Sequence, residues 1–122
     1  MQHKVYVYGT LRPGKSEIVE IPGELRDIGS FPGAVVKAPD FGKFFKAEPV
    51  TVDDAQLRRL DSYEGYREDR PDHSLYLRVP YLDGWIYVFN QDMSDRPEVP
   101  EGDWLAYRGQ KAGGASAFFI GE

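Results

Sequence analysis

Thirteen glycines and nine prolines interrupt a chain of 122 residues. Interruption this dense favours turns over long helices, because proline fixes φ and removes an amide donor while glycine opens conformations closed to other residues. An all-β or α+β fold is expected. The length suits one domain over residues 1–122, large enough for a core of its own.

Composition then narrows the function. The absence of cysteine removes disulfide staples, thiolate nucleophiles and cysteine-based zinc sites. A net charge of −5 and a pI near 5.0 oppose a nucleic-acid partner, which would require clustered Lys and Arg against phosphates. No apolar run has the length of a membrane span, and the first residues lead into Val5-Tyr6-Val7-Tyr8 without a leader-like pattern. A soluble, cytoplasmic protein with a small-molecule or protein partner is the expectation.

Along the chain, residues 5–8 alternate Val and Tyr and predict a half-buried strand, which Gly9 ends. Pro22-Gly23 and Pro32-Gly33 mark turns, with short strands or irregular chain between them. Residues 41–50 read as a strand or hairpin. Residues 51–64 predict the principal helix, with Thr51 and Asp54 as a capping box and Gly65 as its stop. Residues 75–79 and 85–89 predict an antiparallel hairpin about the turn Asp83-Gly84. The Pro- and acid-rich residues 92–102 predict a solvated loop before Trp104 docks.

Three constellations could carry chemistry. Residues 9–16, G-T-L-R-P-G-K-S, match the spacing of a phosphate-binding loop. That loop needs a helix starting at Lys15-Ser16, which Pro22-Gly23 would limit to under two turns, and a strand offering a magnesium ligand, which is missing. The same turn suits a second reading, in which Gly9 lets backbone amides gather to face a carboxylate or oxyanion. The third is Glu64, which shares a helix face with Leu57 and Leu60. Facing the core between Tyr63 and Tyr66, its carboxyl would be desolvated and its pKa raised toward neutrality, fit to accept and donate a proton. His3 and His73 lack metal-ligand spacing, so no metal is expected. Thr10, Ser16 and Ser74 have no evident activating base.

Taken together, Val5-Tyr6-Val7-Tyr8-Gly9-Thr10-Leu11-Arg12 resembles the N-terminal strand and Y-G-[ST]-L turn of the γ-glutamylcyclotransferase-like (AIG2-like) family. Leu60-Asp61-Ser62-Tyr63-Glu64-Gly65 is similar to its L-D-x-x-E-G segment, and Tyr76-Leu77-Arg78 to the following Y-x-R. Residues 85–89 resemble the next strand and Gly102-Asp103-Trp104 a late G-D-W. Residues 67–74 and 41–49 depart from the family pattern. The resemblance implies an α+β fold, a small mixed β-barrel with a few short surrounding helices. It implies Glu64 as catalytic acid/base and Tyr8, Gly9, Thr10 and Leu11 as the substrate cradle. The implied reaction is cofactor-independent cyclisation of a small γ-glutamyl substrate to 5-oxoproline with release of an amine. A catalytically silent binding module of the same fold is the alternative, and the leaving amine and oligomeric state stay open.

Overall fold

A computed structural model describes residues 1–14 and 17–109. Six strands form one mixed sheet: β1 (Gln2–Val7), β2 (Val19–Asp27), β3 (Pro32–Val36), β4 (Phe44–Asp53), β5 (Tyr76–Tyr81) and β6 (Gly84–Phe89). Their order is β3-β2-β4-β1-β6-β5, with β1 and β6 parallel and the other neighbours antiparallel. Helices α1 (Asp54–Glu64) and α2 (Trp104–Arg108) accompany the sheet, with single 3-10 turns at Pro39–Phe41, Pro71–His73 and Pro100–Gly102. This is the expected α+β architecture, with the sheet curled into a half-barrel. Among the described residues no helix is long and apolar enough to cross a membrane.

The curl comes from strands that divide their pairing between two partners. Residues 44–47 of β4 pair with β2, and residues 48–53 pair with β1. Residues 19–22 of β2 pair with β4, and residues 23–27 with β3. Pro22-Gly23, expected to be a turn, is instead the bend inside β2 where it changes partner. Only glycine fits there: φ is +144° at Gly23, and a Cβ would lie 2.0 Å from the Val35 carbonyl oxygen. Pro32 opens β3, where its missing N–H costs the ladder least. At the other end of the curl β3 approaches β6, so close that a Cβ on Gly33 would meet Phe89 Cβ at 3.1 Å.

The central strand β1 departs from the half-buried expectation. Val5, Tyr6, Val7 and Tyr8 are all buried, because both faces of the sheet are covered here. Val5 and Val7 pack with Leu57 and Leu60 of α1, whereas Tyr6 and Tyr8 pack inside the curl with Ile21, Phe45 and the fully buried Trp104.

Two boundaries shift from their expected places. Residues 51–53 remain in β4, so Asp53 rather than Thr51 caps α1: Asp53 Oδ1 accepts from the Gln56 amide, and Gln56 Oε1 accepts from the Asp53 amide, each at 2.8 Å. The β5–β6 hairpin closes through Leu82-Asp83, with Leu82 at φ +50° and Gly84 already in β6. Residues 92–102 are less solvated than expected. Val99 and Met93 are buried, and the backbone hydrogen-bonds to β2 through Asp27 N–H to the Pro97 carbonyl and Val99 N–H to the Leu25 carbonyl. Lys15 and Ser16 of the phosphate-loop spacing lie outside the described residues, and β2 begins at Val19 where such a loop needs its helix.

Candidate active site

The register brings the two ends of the sequence reading together. Gln2 pairs with Asp53, so α1 starts at the far end of β1 from Gly9. The helix then runs back: eleven residues rise roughly 16 Å, against roughly 20 Å for the six residues of β1. Glu64, the last residue of α1, therefore arrives beside the turn that follows β1. Gly65 stops the helix at φ +70°, and its carbonyl accepts from the Leu75 amide at 3.0 Å, fixing the helix end to the start of the β5–β6 hairpin.

A cavity of about 210 Å³ opens here, and Tyr8, Gly9, Thr10, Leu11 and Glu64 all line it. Tyr76 and Tyr87 line it from the hairpin and Pro32 from the start of β3. Thr10 is exposed; Tyr8 and Leu11 turn their side chains into the core clusters, so the turn offers the cavity chiefly its backbone. The Arg12 amide donates to the Gly9 carbonyl at 3.1 Å, closing the turn. Among the described residues no protein group accepts from the amides of Gly9, Thr10 and Leu11. At Gly9 a Cβ would press on the Pro32 ring at 3.1 Å, so glycine lets the turn pack against the start of β3.

The electrostatics centre on Glu64. Burial among aromatic walls pushes its carboxyl up to about 7. Burial is also the first cause of the raised pKa of Tyr8, Tyr63, Tyr76 and Tyr87, and the nearby Glu64 charge adds to each. The phenols are engaged by the protein: Tyr8 Oη donates to the Tyr87 carbonyl, Tyr76 Oη to the Pro32 carbonyl, and Tyr87 Oη to Asp61.

Two supporting networks were not foreseen from sequence. Behind the turn, buried Arg12 donates through Nε to Glu48 Oε2 at 2.8 Å and through Nη1 to Asp103 Oδ1 at 3.1 Å, while Glu48 Oε1 accepts from the Gly14 amide at 2.9 Å. Beneath Glu64, one helical turn earlier, Asp61 Oδ1 accepts from Arg78 Nε at 2.9 Å and from Tyr87 Oη at 2.6 Å. Arg78 in turn stacks on Trp85, 4.3 Å from its ring centroid. The only sequence signal for these pairs was a charged residue inside each motif, Arg12, Asp61, Arg78 and Asp103.

The remaining candidates are placed elsewhere. His3 binds Asp54 and His73 faces Asp72, and among the described residues no cluster of His, Cys, Asp and Glu could hold a metal ion. Ser74 is buried, and its Oγ accepts from the Arg67 amide at 2.7 Å, tying down the polar loop between α1 and β5.

Comparison with known proteins gives the family and the fold. Residues 5–106 match the model of the family described as Gamma-glutamyl cyclotransferase, AIG2-like. A Vibrio cholerae serotype O1 protein named "Putative gamma-glutamylcyclotransferase" is 30% identical over 121 residues, covering 85% of this chain and 96% of its own. The crystal structure of an uncharacterized Pyrococcus horikoshii protein shares the fold, with a TM-score of 0.58 at 22% identity over 87% of this chain and 92% of that one. The match runs from the β1 strand and its turn, through the Glu64 helix, to Trp104, and the chain belongs to the gamma-glutamyl cyclotransferase, AIG2-like family.

Proposed function

We propose that this protein is a γ-glutamylcyclotransferase-type enzyme that converts a small γ-glutamyl amide, amine adduct or peptide to 5-oxoproline and a free amine. The observation that carries the reading is Glu64, a carboxyl raised to about 7 that lines one cavity with the backbone of the Tyr8–Leu11 turn. A group with a pKa near the working pH serves equally well as base and acid.

The substrate's α-ammonium gives a proton to the Glu64 carboxylate, and the freed amine attacks the γ-amide carbonyl. A ring C–N bond forms, and the carbonyl oxygen becomes an oxyanion, which in this reading accepts hydrogen bonds from amides of the Gly9–Leu11 turn that lines the cavity. Collapse breaks the bond to the leaving nitrogen, which takes a proton from Glu64. The ring nitrogen then gives its surplus proton to the Glu64 carboxylate, which passes it to the departing amine, so of the three ammonium protons one stays on the lactam nitrogen and two leave with the amine as its ammonium. Folding the substrate inside a small cavity supplies the proximity that ring closure needs.

Release of 5-oxoproline from a panel of γ-glutamyl amides and peptides, compared with the Glu64→Gln variant, tests the reading. Product from the wild type and a loss of about 10²-fold or more in the variant is expected. No product from either would favour a binding module of the same fold.

A further inference from the structure

The mouth of the cavity bears on which amine departs, an inference that rests on the cyclisation proposed above. A cavity of about 210 Å³ is small beside the roughly 300–1,000 Å³ of sites that enclose drug-sized ligands. It suits an amino-acid-sized group, so a γ-glutamyl moiety would fill it and leave the rest of the substrate at the entrance.

Three large apolar side chains stand at that entrance and are exposed: Phe31 at 41%, Tyr63 at 59% and Leu75 at 39%. Two of them lie on the Glu64 side of the entrance. Tyr63 precedes Glu64 on α1, and the Leu75 amide is bound to Gly65 immediately after it. Phe31 is held from below by Tyr76, with ring centroids 6.3 Å apart. Exposed apolar groups converging on a cavity rim are a binding feature rather than ordinary surface. Among the described lining residues none is Lys, Arg or His, and Glu64 is the one carboxyl. The motif cations are bound elsewhere, Arg12 to Glu48 and Asp103 and Arg78 to Asp61.

We infer that Phe31, Tyr63 and Leu75 form a leaving-group subsite that selects γ-glutamyl amides whose departing amine carries an uncharged, flat apolar group. The ring of such an amine would rest between Phe31 and Tyr63 while its nitrogen faces Glu64. A carboxylate on the same amine would meet apolar surface and lose hydration without gaining a partner.

The test compares kcat/KM for 5-oxoproline release from γ-glutamyl benzylamide, γ-glutamyl methylamide and the benzylamide with a ring carboxylate. Wild type is expected to favour the benzylamide over the methylamide by about tenfold or more, the size of effect apolar pockets achieve, and to lose most of that advantage with the carboxylate. In Tyr63→Ala and Phe31→Ala the benzyl-to-methyl ratio should fall at least about threefold. Comparing that ratio between variant and wild type cancels the different intrinsic reactivity of the two amides. Equal use of the two amides by the wild type, full retention of the advantage by the carboxylated ring, or an unchanged ratio in both variants would overturn the subsite and leave the cyclisation standing. No 5-oxoproline from any of the three would remove the cyclisation and the subsite together.

Discussion

At the last residue of a helix a glutamate ordinarily reaches water, and its pKa stays near that of the free side chain. Glu64 differs because Leu57 and Leu60 fix its face against the sheet and four tyrosines surround its carboxyl. The consequence is a stability cost with a definite sign. The folded chain holds the Glu64 proton up to about pH 7, while the unfolded chain releases it near 4.5, so between these values the folded state binds more protons and loses stability as pH rises. Glu64→Gln removes the titration. It should leave stability almost unchanged at about pH 4.5 and raise it above pH 7 by up to about 3 kcal/mol. Urea unfolding of both proteins at the two ends of that range measures the difference. An equal effect at both ends would mean that the carboxyl is solvated in the folded chain. On the proposed cyclisation, with Glu64 as the base that must be ionised to take the ammonium proton, the acid limb of the kcat/KM profile is expected near pH 7.

Elements show where local sequence signals suffice and where they fail. The core face of α1 and its stop at Gly65 were legible, because Leu57, Leu60 and Glu64 sit at helical spacing and glycine tolerates φ +70°. Its start was not, because Thr51 and Asp54 form an acceptable capping pattern, but the pairing of Lys4 with Thr51 and Gln2 with Asp53 holds those residues in the sheet. Likewise Pro22-Gly23 has turn chemistry, yet β2 uses it to bend between two partners, which no local window reveals. The two ends of α1 should respond differently to substitution. Asp53→Ala removes the cap for about 1 kcal/mol of stability and leaves kcat unchanged, since the cap lies at the far end from Glu64. Gly65→Ala forces a Cβ into the left-handed region, 3.2 Å from Leu75 Cβ, and should cost about 1 kcal/mol or more. It should also lower kcat, because the strain falls between Glu64 and the Leu75 amide that secures the helix end. Melting temperatures with steady-state kinetics on both variants check the contrast, and equal kcat losses would count against it.

Across the whole molecule the site depends on contacts between distant residues, which limited what the sequence revealed. The turn and Glu64 were found as motifs, but Arg12 and Glu48 are 36 positions apart, and nothing local announces that a buried strand position will carry a carboxylate. Removing one partner of such a pair strands a buried charge, so the pair constrains where the turn can sit. The other long-range constraint is the parallel seam of β1 and β6, which holds the turn beside the hairpin that bears Tyr76 and Tyr87. At its start Gly84 passes so close to β1 that a Cβ would lie 2.3 Å from the Lys4 carbonyl oxygen and 2.9 Å from the Lys4 carbonyl carbon. Both are backbone atoms and cannot rotate aside, so Gly84→Ala must push β6 away from β1. Strain of this kind should cost about 2 kcal/mol or more, and the displacement should reach Tyr87, three residues along β6. Pro80→Ala, at an exposed position of the edge strand β5, should stay within about 0.5 kcal/mol of the wild type. Urea unfolding of the two variants separates a seam that must close from an edge that need not. A Gly84→Ala protein as stable as Pro80→Ala would mean that the two strands can part without loss.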